Sequence, residues 1–386
     1  MGNESALLIG ALGSSVADKP LTMPKELDWQ LFLKLCRIHA VTPLVYDGLR
    51  KGNALQAVPE DVQKALLNDY HGAIFRDSQF DYTREQLSKK LIEAQIPHIF
   101  LKGSCLKYDY PEPALRTMCD LDILVHTEDY PAIEKIALEM GGKPGHSDGN
   151  HRNYSFPGTV EVEFHPNLLH HDTPVGTGIN PGWQYAKKDM PTNAGELTPE
   201  GFYLNTICHL ANHFVAGGVG VRFVLDVWVN RYLRKNKPDR AFVETELQRF
   251  GLLKFAQNIE SLSDVWFGAG QMTDVTEQLG NYILTSGLHG TAQRAMLNAV
   301  TLSPGQNAGS ALLKRAFYSR QELEDRFPWC KGKPLLLPAA WCVRAFRAVT
   351  RHGALILQWR KGTAAVSDQE VVQQKELLER FGIQLN

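Results

Sequence analysis

The stretch LKGSCLKYDYPEPALRTMCDLDILV, residues 101–125, decides the fold of this chain. Polar and apolar residues alternate over residues 119–125, which predicts a β-strand because successive side chains of a strand point to opposite faces. Asp120 and Asp122 therefore share one face, about 7 Å apart along the strand. Two such carboxylates repel each other, and a divalent cation relieves the repulsion while also binding phosphate oxygens. The stretch thus predicts a metal site on a strand.

The residues before this strand carry groups suited to an anion. Residues 96–103 read as a short strand that ends at Gly103-Ser104, where entry into a helix offers free backbone N–H groups and a hydroxyl. Arg116 is suited to bidentate phosphate contact, and Lys102 is placed to touch phosphate. The structural alternatives are an ordinary turn, an ion pair between Arg116 and a strand aspartate, and a surface position for Lys102.

A second acidic strand follows. Residues 153–156 and 159–165 read as two strands joined by a Pro-Gly turn. In the later strand Glu161, Glu163 and His165 share one face. If this strand lies beside the aspartate strand, one glutamate completes a three-carboxylate site, which suits an in-line displacement at phosphorus. Glu163 is the expected third acid, Glu161 is the alternative, and His165 is expected to hydrogen-bond beside the site.

The rest of the chain reads as helical, so the predicted fold class is α+β, with a small mixed β-sheet between N- and C-terminal helical domains. One helix is expected to begin at Asp28, another at Pro59 with a continuation through Ile92, and a third at Thr198 with Pro199 in its first turn. The predicted divisions are a frayed N-terminus (1–20), a helical region (21–93), the core (94–171), a linker (172–196) and a C-terminal helical domain (197–386).

Composition excludes several classes of protein. The chain has 386 residues, 41 of them Lys or Arg and 42 Asp or Glu, so its net charge of −1 excludes a uniformly basic nucleic-acid clamp. Six cysteines without a CxxC pair favour a reducing, cytoplasmic location. The first residues make a poor secretory signal, and no run of 18 apolar residues exists, so stable membrane insertion is not expected.

One segment departs from this overall neutrality. Residues 314–361 contain eleven basic and three acidic residues, a local charge of +8. A solvated helical face is the simplest interpretation. Steering of a triphosphate, contact with a nucleic-acid acceptor and contact with an anionic membrane surface are the alternatives.

Two further pairs have helical spacing. His209 and His213 are four residues apart, a spacing that could bind zinc, and together with His165 they define an alternative function as a zinc hydrolase. The HExxH motif is absent, which favours a packing role for this pair. Arg222 and Asp226 are also four residues apart and are expected to form a helix ion pair or to face the cleft.

The order Gly-Ser, then Asp-x-Asp, then a later carboxylate on a strand resembles the DNA polymerase β-like nucleotidyltransferase superfamily. The block of residues 101–125 is similar to one branch, the uncharacterised bacterial nucleotidyltransferase family. The segments LTPEGFYLNTICHLANHF, VRFVLDV and RFPWCKGKPLLLPAAWCVR also look similar, so the resemblance spans residues 28 to 350 approximately.

This resemblance implies a nucleotidyltransferase-fold core and an activity. Asp120, Asp122 and Glu163 would hold catalytic Mg²⁺ or Mn²⁺, and Gly103 and Ser104 would hold a nucleoside triphosphate such as ATP. A nucleoside monophosphate would pass to an acceptor hydroxyl with release of pyrophosphate. Glutamate stands where the superfamily usually has aspartate, which leaves the choice of the third acid open.

Two questions stay open at this point. A small-molecule, sugar or peptide acceptor is favoured over nucleic acid, while the oligomeric state is undetermined. The alternative within the same fold is a catalytically inactive protein that binds nucleotide or regulates a partner.

Overall fold

The structure, a computed structural model, describes most of the chain. It covers residues 1–145, 151–169, 173–189, 192–288, 290–303, 320, 323–324, 327–330, 332–344, 346, 361–363 and 365–384. The helices are α1 (Asn3–Ala17), α2 (Trp29–Ile38), α3 (Thr42–Lys51), α4 (Glu60–Glu93), α5 (Gly103–Leu106), α6 (Tyr130–Glu139), α7 (Pro199–Ala216), α8 (Val221–Tyr232), α9 (Arg240–Arg249), α10 (Leu253–Phe267), α11 (Asp274–Leu284), α12 (Ala292–Thr301) and α13 (Asp368–Phe381). The strands are β1 (His98–Phe100), β2 (Asp120–Val125), β3 (Lys143–Pro144), β4 (Arg152–Phe156), β5 (Val160–His165) and β6 (Ala194–Gly195).

The six strands form one mixed sheet in the order β3-β4-β5-β2-β1-β6. The central pair, β2 and β5, is parallel, and its register sets Asp122 opposite Glu163. The pairs β4–β5 and β1–β2 are antiparallel. The fold is therefore α+β with a small mixed sheet among helices, as the sequence predicts.

Alternation along β2 and β5 divides the sheet into two different faces. Leu121 and Ile123 of β2, with Val162 and Phe164 of β5, pack into a core shared with α4 and α6, whose side chains include Ile133. The opposite face therefore carries the acidic residues of both strands. Helix α7 and helix α8 lie beyond that acidic face and belong to the larger helical core.

The helix starts that the sequence indicates are confirmed. The Asp28 side chain accepts hydrogen bonds from the first backbone N–H groups of α2. The Thr198 side chain accepts one from Gly201 N at the start of α7. Helix α4 runs without interruption to Glu93, which matches the continuation expected after Pro59.

The prediction of a frayed N-terminus is wrong. Residues of that segment form α1, in which Leu7, Leu8 and Leu12 are fully buried. The helix packs so closely on α3 that a Cβ atom at Gly48 would lie 1.8 Å from the carbonyl oxygen of Ala11. The absence of a side chain at Gly48 in α3 permits this contact with the backbone of α1.

The end of the predicted linker also belongs to the core. Strand β6 lies within residues 172–196 and pairs in parallel with β1, where His98 aligns with Ala194. The backbone N–H of His98 also donates to the carbonyl oxygen of Asn193 over 2.9 Å. The segment therefore returns to the edge of the sheet before α7 begins.

Two expectations concern the surface and the membrane. Most of the basic segment 314–361 lies outside the described residues, and its described cations are Arg320, Lys333, Arg344 and Lys361. No helix in the described ranges has both the length and the apolar character that a bilayer crossing requires.

Candidate active site

A cavity of about 550 Å³ lies between the acidic face of the sheet and the helices α7 and α8. From the strands and the loop before them it is lined by Lys102, Gly103, Arg116, Asp120, Asp122, Glu163 and His165. From α7 and α8 it is lined by Phe202, Asn205, Thr206, His209, Asn212, His213, Arg222 and Asp226, among others. The topology thus gathers residues more than a hundred positions apart around one space.

One wall of the cavity is an acidic cluster, which comprises Asp120, Asp122, Glu163, Lys102 and His165. Among the described residues, the compact group of potential metal ligands is Asp122, Glu163 and His165, with one ligand atom of each within 4.8 Å of the others. His165 Nε2 lies 2.9 Å from Asp122 Oδ1 and 3.3 Å from Glu163 Oε2, so its N–H bridges the two carboxylates. Lys102 Nζ donates to the same Asp122 oxygen over 2.6 Å.

The two aspartates of β2 have opposite electrostatic surroundings. Burial disfavours the charge on Asp122, but Lys102 and His165 outweigh it and hold the pKa of Asp122 below its ordinary value. For Asp120, burial and the neighbouring charge of Asp122 raise the pKa to about 6. The hydrogen bond from His165 lowers the pKa of Glu163. At neutral pH the cluster therefore carries three carboxylates close together.

Glu161 and Glu163, the two candidates for the third acid, occupy different positions relative to the cavity. Glu161 pairs with Asp120 in the strand register, yet its side chain is exposed and lies outside the cavity lining. Glu163 lines the cavity, and Asn153 Nδ2 donates to its Oε1 over 3.1 Å. Of the two candidates, Glu163 is the one beside Asp122.

The two residues of the predicted Gly-Ser turn have different surroundings. Lys102 has a left-handed φ of 50°, and the short helix α5 follows it directly. Gly103 lines the cavity, where a Cβ atom would lie 2.1 Å from Arg116 Nη1. Ser104 is buried and its hydroxyl donates to Leu101 O over 2.8 Å, so this hydroxyl faces the protein interior. Of the two residues of the predicted anion cradle, Gly103 is therefore the one that lines the cavity.

The opposite wall is a basic cluster, which comprises Arg116, Arg222, Asp226 and Tyr110. Arg116 binds Asp226 through two hydrogen bonds, Nε to Oδ1 at 3.1 Å and Nη2 to Oδ2 at 2.7 Å. Tyr110 donates its hydroxyl to Asp226 Oδ1 over 2.7 Å. The structural partner of Arg116 is therefore Asp226 and not an aspartate of β2.

Arg222 does not form the expected ion pair with Asp226. Its Nη1 donates to the carbonyl oxygen of Thr117 over 2.7 Å and lies 3.2 Å from Thr117 Oγ1. Both Arg222 and Asp226 line the cavity, which agrees with the alternative that the pair faces the cleft. The carboxylate of Asp226 is occupied by Arg116 and Tyr110, which explains why the helix pair is absent.

The three histidines do not meet as a zinc site in the described part of the chain. His209 Nε2 and His213 Nε2 lie 3.0 Å apart in a hydrogen bond, whereas His165 bridges the carboxylates of the acidic cluster. Burial strongly lowers the pKa of His209, which favours its neutral form. The geometry gives no support to the zinc hydrolase alternative.

Sequence reasoning missed Asn205 and Asn212 of the cavity, and it named His209 and His213 only as a packing pair or as zinc ligands. The polar residues Asn205, His209, Asn212 and His213 recur at spacings of three and four along α7, a pattern that marks one helix face turned towards a polar space. The contact between Lys102 and Asp122 was also missed, because nothing in a strand–turn sequence indicates which way a lysine at its end will turn.

Comparison with known proteins agrees with an α+β nucleotidyltransferase. The chain matches a family described as uncharacterised nucleotidyltransferase over residues 25–268, and it belongs to this family. The match includes both strands of the acidic face and the helices that close the cavity. Searches of curated proteins and of solved structures gave no match.

Proposed function

We propose that the protein transfers a nucleoside monophosphate from a nucleoside triphosphate to a hydroxyl group of an acceptor, with release of pyrophosphate. The carrying observation is that Asp120, Asp122 and Glu163 face one cavity together with Lys102 and Arg116. Carboxylates opposite cations suit a ligand that bears a divalent cation and phosphates. Membership of a nucleotidyltransferase family supports the same reaction class.

The carboxylates fit Mg²⁺ or Mn²⁺. Oxygen ligands suit these hard cations, and Asp122 and Glu163 stand side by side on parallel strands, with Asp120 two residues away. His165 is hydrogen-bonded to both carboxylates, which fixes their orientation. When bound, the cation would neutralise phosphate charge and polarise the phosphorus that is attacked.

The remaining roles follow from position. Arg116 and Lys102, with the backbone at Gly103, would bind phosphate oxygens. Glu163 is ionised at neutral pH, and it would activate the acceptor hydroxyl either by holding the metal or by accepting the proton. Helix α7 forms one wall of the cavity. These groups position the reactants and balance charge, which is the main protein contribution in phosphoryl transfer.

The size of the cavity favours a small acceptor. A volume of about 550 Å³ is within the range of small-molecule sites, and it suits a small molecule, a sugar or the end of a peptide better than a folded nucleic acid. We place the reaction in the cytoplasm, in agreement with six free cysteines.

A nucleotide-binding protein without turnover is the second candidate. It is favoured by the Lys102–Asp122 ion pair of 2.6 Å, which occupies a carboxylate oxygen that a metal would otherwise use. In the active protein Lys102 would leave Asp122 for phosphate oxygens once the carboxylates hold a cation. In the inactive one the ion pair persists with nucleotide bound.

The test is incubation of the purified protein with four α-labelled nucleoside triphosphates, Mg²⁺ or Mn²⁺ and an extract of small metabolites and peptides. We expect a labelled acceptor and equimolar pyrophosphate. Asp122→Asn should abolish both products, whereas Glu161→Gln, on the exposed end of β5, should retain them. Nucleotide binding without pyrophosphate under all these conditions would favour the second candidate.

A further inference from the structure

Arg222 is a buried guanidinium whose bonding is incomplete. Its side chain is 7% exposed, and its Nε has no hydrogen-bond partner. The bonds it makes, from Nη1 to the backbone and hydroxyl oxygens of Thr117, are to neutral groups. Within the described residues, no carboxylate lies at ion-pair distance from Arg222. A buried cation without an anionic partner is costly to hold.

The neighbours of Arg222 add to that cost. Asp226, one turn further along α8, accepts hydrogen bonds from Nε and Nη2 of Arg116 and from the Tyr110 hydroxyl. Burial, followed by the charge of Arg116, lowers the pKa of Arg222 to about 10. The basic cluster therefore holds two guanidinium groups and one carboxylate, which leaves one positive charge unbalanced at the cavity wall.

A second unsatisfied group faces the same cavity. Asn205 on α7 is 1% exposed, and its Oδ1 has no hydrogen-bond partner. Asn205 and Arg222 both line the cavity. Buried polar atoms are seldom left unpaired in proteins, so a ligand is the natural source of the missing partners. Such a ligand needs an oxyanion for Arg222 and a hydrogen-bond donor for Asn205.

We propose that Arg222 binds an oxyanion of a ligand, a phosphate or a carboxylate, and that Asn205 Oδ1 accepts a hydrogen bond from a donor group of the same ligand. The inference rests on the proposed function for the source of that group. The source is either the polyphosphate of the nucleotide donor or an acidic group of the acceptor. In both cases the guanidinium group of Arg222 would bind an oxyanion.

Arg231 provides the matched control. It lies on the same helix, but its Nη1 pairs with Asp264 over 2.8 Å and its Nε lies 3.8 Å from Glu260. It does not line the cavity. A structural arginine and a ligand-binding arginine on one helix should therefore respond in opposite ways to the same substitution.

The experiment measures binding without turnover, by calorimetric titration in two arms. In the first, tripolyphosphate is added to the free protein. In the second, inorganic phosphate is added to protein saturated with Mg²⁺ and a non-hydrolysable ATP analogue. Arg222→Gln should weaken binding at least tenfold in one arm. Loss in the first arm assigns the donor polyphosphate, and loss in the second assigns an acidic acceptor.

Thermal melting without ligand supplies the independent readout. Arg222→Gln should melt at or above the wild-type temperature, because it removes an unbalanced buried charge, while Arg231→Gln should melt lower and bind both anions normally. Unchanged anion binding of Arg222→Gln in both arms would overturn the proposal, as would a loss of melting temperature equal to that of Arg231→Gln. If Arg222→Gln does not fold, Arg222→Lys, which keeps the charge but loses the planar guanidinium geometry, must weaken anion binding in one of the two arms relative to the wild type.

The test of the Arg222 site and the test of the proposed reaction can fail independently. Neither arm depends on turnover, so a protein that never releases pyrophosphate could still show the Arg222-dependent binding. Conversely, a protein that releases pyrophosphate while Arg222→Gln binds both anions normally would refute the site and leave the reaction intact.

Discussion

The acidic cluster and the basic cluster line one cavity, yet they are balanced in opposite ways. In the acidic cluster three carboxylates face Lys102 and His165, and Asp120 has a raised pKa because it is buried and its negative neighbours are close. In the basic cluster the one carboxylate, that of Asp226, pairs with Arg116 and leaves Arg222 without an ion-pair partner among the described residues. The difference indicates a ligand with both signs of charge, a cation at the strands and oxyanions at the helices.

The largest expected effect comes from breaking the basic cluster at its centre. Asp226→Asn removes the negative charge between Arg116 and Arg222 and leaves two buried guanidinium groups uncompensated. We expect the free energy of unfolding to fall by about 3–5 kcal/mol. Urea denaturation measures it.

The control for this change is Glu60→Gln, which alters an exposed ion pair with Lys64 on α4. Its effect should be below about 1 kcal/mol. Equal effects of the two substitutions would mean that the basic cluster is no more tightly held than a surface pair.

Next in size is the loss of the third carboxylate. Glu163→Gln should lower pyrophosphate release by about 10²–10³-fold, comparable to the removal of one preorganised polar group from an active site. The matched change is Glu161→Gln, two residues earlier on β5, where the side chain is exposed. Steady-state rates of pyrophosphate release by the two variants test which glutamate is the third acid. Similar losses at the two positions would contradict the assignment of Glu163.

For Asp120, in contrast to the preceding residues, we expect substitution to raise the stability of the protein. Its folded pKa of about 6 exceeds the ordinary carboxyl value, so the folded state holds this proton more tightly than the unfolded state does. Asp120 therefore contributes stability that is lost as the pH rises towards 6. In metal-free buffer at pH 7.5, Asp120→Asn should stabilise the fold by about 1–3 kcal/mol, and with Mg²⁺ present it should abolish pyrophosphate release.

Thermal melts at pH 4 and pH 7.5 check this prediction, with Asp122→Asn as the comparison. Asp122 has a lowered pKa because of Lys102 and His165, so its amide variant should destabilise the protein at pH 7.5. If both variants shifted the melting temperature in the same direction, the contrast between the two aspartates would be wrong.

The smallest expected effect concerns His165. His165→Gln removes the bridge between Asp122 and Glu163 but leaves the carboxylates in place. Loss of such an orienting contact typically weakens metal binding by about 10–100-fold, and we expect the lower end because Lys102 also holds Asp122. Mn²⁺ titration followed by electron paramagnetic resonance measures it. An unchanged Mn²⁺ affinity would show that His165 does not orient the carboxylates for metal binding.

The acidic half of the site was predictable from sequence, whereas the basic half was not. Two alternating strands place Asp120, Asp122 and Glu163 on faces that follow from the period of a strand alone. The partner of Arg116 lies 110 residues away on α8, and no local pattern connects the two. Such pairings depend on how whole helices dock, which spacing within a short motif does not determine.

The misread parts of the fold have a similar cause. The glycines and serines of α1 weaken its helix propensity and so predict a frayed end, yet the helix is held by packing against α3. Strand β6 consists of two residues, too short for any alternation to show. The direction of the Ser104 hydroxyl depends on the left-handed backbone at Lys102, which residue type alone does not predict.

The central claim is that the acidic cluster holds a cation through which the protein binds a triphosphate. Equilibrium titration of each nucleoside triphosphate, with Mg²⁺ and with chelator, into the wild-type protein and Asp122→Asn tests it most directly. We predict that Mg²⁺ strengthens binding of the preferred triphosphate to the wild type at least tenfold and has no such effect on Asp122→Asn. Equal triphosphate affinity of the two proteins, with or without Mg²⁺, would contradict the account.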